Sequence, residues 1–192
     1  MKKAIHIISV SVLCIVVIVS VYLFFMRSSQ PSVEDSVEIT EVQKLTTRNL
    51  DTNYPETPRE VVKFYSRIIC AYYSENYTDE ELLLLGDQAL ALFDEKLLEN
   101  NPRDSYFESL KAEIEEYRAD DRRILSWGVS KSSDITYDEV NGNNFAFVNA
   151  TYFLHSNTMS TYAKQTYELR KDAQGRWKIL AFYKTNKEES DE

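Results

Sequence analysis

Four patterns of hydrophobic and polar positions follow one another along the chain. Ala4 to Met26 is an apolar run that no Asp, Glu, Lys or Arg interrupts. Arg27 to Tyr54 is polar, with several serines, Pro31 and the acids Glu34, Asp35, Glu38 and Glu41. Apolar residues then recur with the helical period as far as Tyr117, and from Arg122 to Tyr183 they alternate. These periods predict a membrane-spanning helix, a tether, a set of helices and a sheet, in that order.

The helical part starts at Thr57-Pro58-Arg59-Glu60, a capping box with proline at the first helical position. Val61, Phe64, Tyr65, Ile68 and Tyr72 fall within about 100° of arc, which predicts one buried face. Thr78-Asp79-Glu80-Glu81 is a second capping box. It predicts a helix running through Leu82–Leu85 to Leu98, stopped by Asn100-Asn101-Pro102. A third helix carries the stripe Phe107, Leu110, Ile114 and Tyr117.

Alternation begins with Arg123, Leu125, Trp127 and Val129 against Ile124, Ser126 and Gly128. Asn141-Gly142-Asn143 is a strong turn signal. In the next strand Phe145, Phe147, Asn149, Thr151 and Phe153 share one face, and Ala146, Val148, Ala150, Tyr152 and Leu154 the other. The aromatic face is expected to look inward, which puts Asn149 among Phe145, Phe147 and Phe153. A third strand covers Thr161 to Lys171, and Trp177, Ile179, Ala181 and Tyr183 predict the last. The expected fold class is α+β: an N-terminal transmembrane helix, then three helices packed on a curved four-stranded antiparallel sheet. The expected divisions are a short cytoplasmic tail and anchor (1–26), an acidic tether (27–54), the domain (55–187) and a polar tail (188–192). Val42 to Leu50 carries apolar residues that would pack on the domain.

As a helix, the first run would span roughly 35 Å, enough for a bilayer. It ends in Tyr22-Leu23-Phe24-Phe25-Met26, with no small-residue cleavage site, and Cys14 follows Leu13 where a lipoprotein needs a small residue. Lys2 and Lys3 favour a cytoplasmic N-terminus. The expected localisation is the cell membrane, single-pass, with the C-terminal domain extracytoplasmic and the lipid bilayer as partner of residues 4–26.

Charge narrows the partners. Lys+Arg number 22 and Asp+Glu 31. Leaving out Lys2 and Lys3 gives 20 against 31, a net of −11 for the rest of the chain. Such a surface repels phosphate backbones, so nucleic acid is not an expected partner. Cys70 is the one cysteine outside the apolar run, so no internal disulfide is expected and the fold must stand on its core.

Three helices followed by an antiparallel meander, ending Tyr167-Glu168-Leu169-Arg170 and Gly175-Arg176-Trp177-Lys178-Ile179, resembles the nuclear transport factor 2-like, or SnoaL-like, cone fold. The segment Tyr54-Pro55-Glu56-Thr57-Pro58-Arg59-Glu60-Val61-Val62 looks like the start of uncharacterised membrane-anchored bacterial proteins of that fold. The resemblance spans about Pro55 to Lys184 and implies a cone with a pocket on the sheet. A cystatin-like sheet with fewer helices is the alternative.

Catalytic signatures are sparse. The histidines are His6 and His155, and no HExxH, EF-hand loop, CxxC or glycine-rich loop occurs, so neither a metal nor a cofactor is expected. Enzymes resembling this fold place an acid or base inside the cone. The corresponding ligand-pocket candidates are Asn149, Thr151 and His155 on one strand face, with Tyr162 and Glu168 across. Cys70 lies near Lys63, Ser66 and Arg67 and is a candidate reactive thiol, against the plainer reading of a small buried residue. Tyr65, Tyr72 and Tyr73 suit either a ligand groove or the core. Leu83 and Leu84 sit on a helix that is apolar nearly all round and are candidate interface residues.

Two classes of function follow. The first is a non-catalytic binding or assembly module of the cell envelope, acting through a protein partner or a homo-oligomer. The second is a small-molecule carrier or enzyme using the cone. The layout of tail, single crossing and external domain also resembles scaffold subunits of secretion and conjugation machines, by analogy alone. The sequence leans away from an enzyme.

Overall fold

Thr40 forms a capping box that the polar character of this stretch conceals. Its hydroxyl accepts from the Gln43 N–H and its own N–H donates to Gln43 Oε1, both at 3.1 Å. The computed structural model describes residues 39–185. Helix α1 (Glu41–Thr46) follows and buries Val42 and Leu45. Val42, Leu45 and Leu50 are buried, so the later part of the expected tether packs on the core.

Helix α2 (Pro58–Ser74) is capped by Thr57 and buries Val61, Phe64, Tyr65, Ile68 and Tyr72, the stripe its spacing predicts. The long second helix is in fact two. Helix α3 (Asp79–Leu90) ends early, and α4 (Glu95–Asn100) restarts after a short extended segment. Asp94 explains the break. Its carboxylate caps α4 by accepting from the Lys96 N–H at 3.0 Å and takes Arg170 in a fork at 2.9 and 2.6 Å. Its N–H donates to the Ile179 carbonyl, and the Ile179 N–H donates to Leu92, both at 2.8 Å. A continuous helix would forfeit all of these bonds. Helix α5 (Arg103–Ala119) carries Phe107, Leu110 and Ile114 into the core.

The sheet is antiparallel and has five strands: β1 (Arg123–Val129), β2 (Thr136–Val140), β3 (Asn143–His155), β4 (Ser160–Lys171) and β5 (Trp177–Lys184). β1 pairs with the second half of β3 and β2 with the first, so the two share one edge; β4 and β5 follow on the other side. The expected four strands become five because every residue of β2 is exposed and leaves no alternation to read. A second correction concerns the membrane. Among the described residues no helix is long and apolar enough to cross one, so the structure gives no support to the transmembrane fold class, the single-pass layout or the membrane localisation. Residues 4–26, on which those expectations rest, lie outside the described residues.

A third correction reverses β3. The face packed on the helices is Ala146, Val148, Ala150, Tyr152 and Leu154, all buried. Phe145, Phe147, Phe153, Asn149 and Thr151 face the other way. Small residues, Ala146, Val148 and Ala150, line the first part of the inner face, where bulky side chains of α2 fill the space above it, and Tyr152 and Leu154 continue it. The aromatic residues of the outer face shield one another laterally, as Phe153 does with Tyr162 at 4.9 Å between ring centres. A bulge at Leu180 likewise breaks the expected alternation of β5: Glu168 pairs with Ala181 but Leu169 with Ile179. Phe182 therefore turns toward the helices and meets Tyr65 and Tyr167.

Gly86 fixes the approach of α3 to α5. A Cβ there would lie 2.2 Å from Phe107 Cε1. The substitution Gly86→Ala is expected to cost about 1–3 kcal/mol in urea unfolding, by overpacking. Adding Phe107→Leu should recover part of that loss; a double variant no more stable than the single one would show that the contact is not the cause.

Candidate functional site

Helices α2 and α5 and the inner face of the sheet line a half-open chamber of about 200 Å³. Helix α2 contributes Tyr65, Ile69, Tyr72 and Tyr73, which share one face at helical spacing. Helix α5 contributes Tyr106, Leu110, Glu113 and Tyr117, again one stripe. Tyr152 and Leu154 of β3, Ala163 and Gln165 of β4 and Phe182 of β5 close the floor. Tyr73 stacks on Tyr117 with ring centres 4.1 Å apart, and Tyr72 meets Tyr73 edge-on at 6.2 Å.

The hydroxyls are tied together behind these rings. Tyr72 and Tyr106 share a hydrogen bond of 3.2 Å. At the back, Tyr167 donates to Gln165 Oε1 at 2.7 Å, and Tyr152 bonds Tyr167 and Ser66 at 2.8 Å each. Tyr167 has one hydrogen and gives it to Gln165, so Tyr152 donates to Tyr167 and Ser66 donates to Tyr152. Burial holds these phenols protonated: Tyr65, Tyr72 and Tyr167 are pushed well above the ordinary value, and Tyr106 up to about 12. The Glu113 carboxylate adds to the rise at Tyr65, Tyr73, Tyr106 and Tyr117.

Glu113 stands at the opening. No Lys, Arg or His is among the residues lining the chamber. Among the described residues Glu113 has no ion-pair partner within 4.0 Å. A groove of about 670 Å³ adjoins the chamber through Glu113, Tyr117, Leu154, Ala163 and Gln165 and runs along the turn from His155 to Met159.

Comparison with known families adds membership. Residues 1–182 match the family described as "Domain of unknown function (DUF6715)". The chain belongs to that family. No curated protein matches it.

The residues singled out by the sequence fall elsewhere. Asn149 and Thr151 lie on the outer face of β3 and do not reach the chamber. Asn149 is exposed, and its Oδ1 accepts from the Thr166 hydroxyl at 2.8 Å. His155 is exposed at the strand end, with Nδ1 2.9 Å from Ser160 Oγ, and lines the outer groove. Tyr65, Tyr72 and Tyr73 serve both proposed roles, as core and as chamber wall. Leu83 and Leu84 are 38% and 45% exposed, side by side on α3. No cluster of three metal-ligating side chains occurs among the described residues. Sequence reasoning passed over Glu113, Tyr106 and Gln165. An acid on the apolar stripe of α5, between Tyr106 and Tyr117, was the available signal.

Cys70 is half-buried, and its thiol is pushed up to about 12 by burial and then by Glu75 and Glu41. Of the two cations expected to activate it, Lys63 and Arg67, the second is engaged by Glu41 at 2.6 Å. A thiol reagent near neutral pH is expected to label the folded protein at least about ten times more slowly than the urea-unfolded chain. Equal rates would mean that the thiol is accessible and ionised.

The phenols give a pH dependence with a definite sign. Their pKa values are raised on folding, from an ordinary value of about 10. Both states hold the protons below that pH, and the unfolded chain loses them first above it. Stability should therefore be full below about pH 10 and fall as the pH rises toward 12. Urea midpoints measured across that window check it; midpoints unchanged up to pH ~12 would contradict buried, protonated phenols.

Proposed function

We propose that the domain is a non-catalytic binding module whose tyrosine-lined chamber receives a small ligand. The observation that carries this reading is the chamber itself: apolar walls with a few convergent polar groups, Glu113, Gln165 and the Tyr72–Tyr106 pair. Such a composition is typical of ligand sites. At about 200 Å³ the chamber takes a small group, and the adjoining groove takes what extends from it. Helices packed on the inner face of a long, paired β3 also support a relationship to the nuclear transport factor 2-like fold, which we propose with it.

The absence of a nucleophile paired with a base around the chamber favours binding over turnover. His155 bonds Ser160 in the exposed groove and contacts none of the chamber tyrosines by hydrogen bond.

Native mass spectrometry of the full chain tests the proposal. Ala163 lines both chamber and groove, and Ala163→Trp would plug the passage between them. The expected result is a defined extra mass on the protein as purified, or after incubation with a panel of small metabolites, that the plugged variant does not carry. A bare protein that takes up no member of the panel would overturn it. A bare, concentration-dependent oligomer that Leu83→Asp disrupts would replace it with the assembly reading.

A further inference from the structure

We propose that the ligand is a small organic ammonium cation, held against the tyrosine rings with Glu113 as its counter-ion; this rests on the chamber being a binding site.

Three features of the chamber converge on positive charge. Seven of its fifteen lining residues are aromatic, and the faces of phenol rings carry negative electrostatic potential that attracts ammonium groups; Tyr117, stacked on Tyr73 and covered by Arg122, is already occupied. Its one ionisable carboxylate belongs to Glu113, which has no ion-pair partner among the described residues. The basic side chains nearby are engaged outside it. Arg122 lies over the ring of Tyr117 at 4.7 Å and is bound to Asp120 at 2.6 Å; Arg118 lies over Tyr77 at 5.7 Å. An anionic ligand would meet the Glu113 carboxylate, with Arg122 over Tyr117 already bound to Asp120. The same field is visible in the phenols, since Glu113 contributes to the raised pKa of four tyrosines around the chamber.

The groove outside extends the bias. Glu116 and Asp120 accompany Glu113 along α5, against Arg122, which they already bind, and Lys184 on the far side. A cation approaching through the groove therefore meets carboxylates before it meets rings.

Isothermal titration of the full chain with three probes of similar shape tests the inference: tetramethylammonium, uncharged tert-butanol and anionic pivalate. The expected order is tetramethylammonium at least about tenfold tighter than tert-butanol, with pivalate weakest. In the Glu113→Gln variant tetramethylammonium should lose about fivefold to tenfold in affinity while tert-butanol is unchanged. Tyr73→Leu should weaken tetramethylammonium more than tert-butanol, which separates a ring contribution from charge alone. Equal binding of tetramethylammonium and tert-butanol, both abolished by Ala163→Trp, would overturn the cation and leave the binding chamber standing. Preferred binding of pivalate would do the same. Binding of no probe would overturn the cation, and mass spectrometry of the purified protein would then decide the chamber separately.

Discussion

The chain of hydroxyls from Ser66 to Gln165 has only one direction in which every hydrogen is used. Tyr167 gives its hydrogen to Gln165, so Tyr152 must donate to Tyr167 and Ser66 to Tyr152. The constraint is steep, because a buried hydroxyl without a partner costs about 1–3 kcal/mol. It joins α2, β3 and β4 at one place, and that place is the back wall of the chamber. Rotating α2, or slipping β3 against β4 by one residue, would orphan two or three hydroxyls at once. The chain also orients Gln165: its carbonyl is committed to Tyr167, which leaves the amide NH₂ for the side of the chamber and groove.

A second fixed point lies at the other edge of the sheet. Asp94 is 4% exposed and binds Arg170 by two hydrogen bonds while capping α4. A buried ion pair is weak ground for a stability argument, since desolvation opposes it. Its geometry has a clearer consequence. The backbone of residues 92–94 runs beside Ile179 as a short parallel bridge, which covers part of the exposed edge of β5. α4 then begins where the chain leaves that edge, and α5 follows it with its stripe of Tyr106, Leu110, Glu113 and Tyr117 toward the chamber. Loss of the break after Leu90 would misplace the wall that carries Glu113.

Helix ends and helix faces were the most legible part of the sequence. Thr57 and Thr78 cap where their motifs place them, because capping depends on three or four neighbouring residues and little else. The sheet was legible as alternation but not in its orientation. Phe145, Phe147 and Phe153 are the more apolar set, and transfer energies alone would bury them. The inner face instead belongs to Ala146, Val148, Ala150, Tyr152 and Leu154, the first three small because α2 brings its own large side chains there. That complementarity is between segments far apart in sequence, and no local period reports it. The same reversal moved Asn149 and Thr151 out of the site. Asp94 hid for the same reason: its partners Arg170 and Ile179 are distant, and Leu90, Leu92, Phe93, Leu97 and Leu98 suggest one uninterrupted helix. The chamber was half legible, since Tyr65, Tyr72 and Tyr73 stood out on α2, while their counterparts on α5 passed as an ordinary stripe.

The protonation of the tyrosines decides what such a chamber can do. A general acid or base works best with a pKa near the operating pH. A phenol held at about 12, as Tyr106 is, has about one molecule in 10⁵ ionised at pH ~7. Its neighbours are pushed upward too, and for the same cause, which is burial among other rings. The burial that gives the chamber its aromatic wall thus removes its tyrosines from proton transfer near neutrality. What remains to them is hydrogen-bond donation and the electrostatics of the ring faces, on which the binding reading proposed for the chamber rests. Glu113, an exposed carboxylate at the opening, has no ion-pair partner among the described residues. On the binding reading proposed above, that carboxylate is the group that would select a ligand by sign.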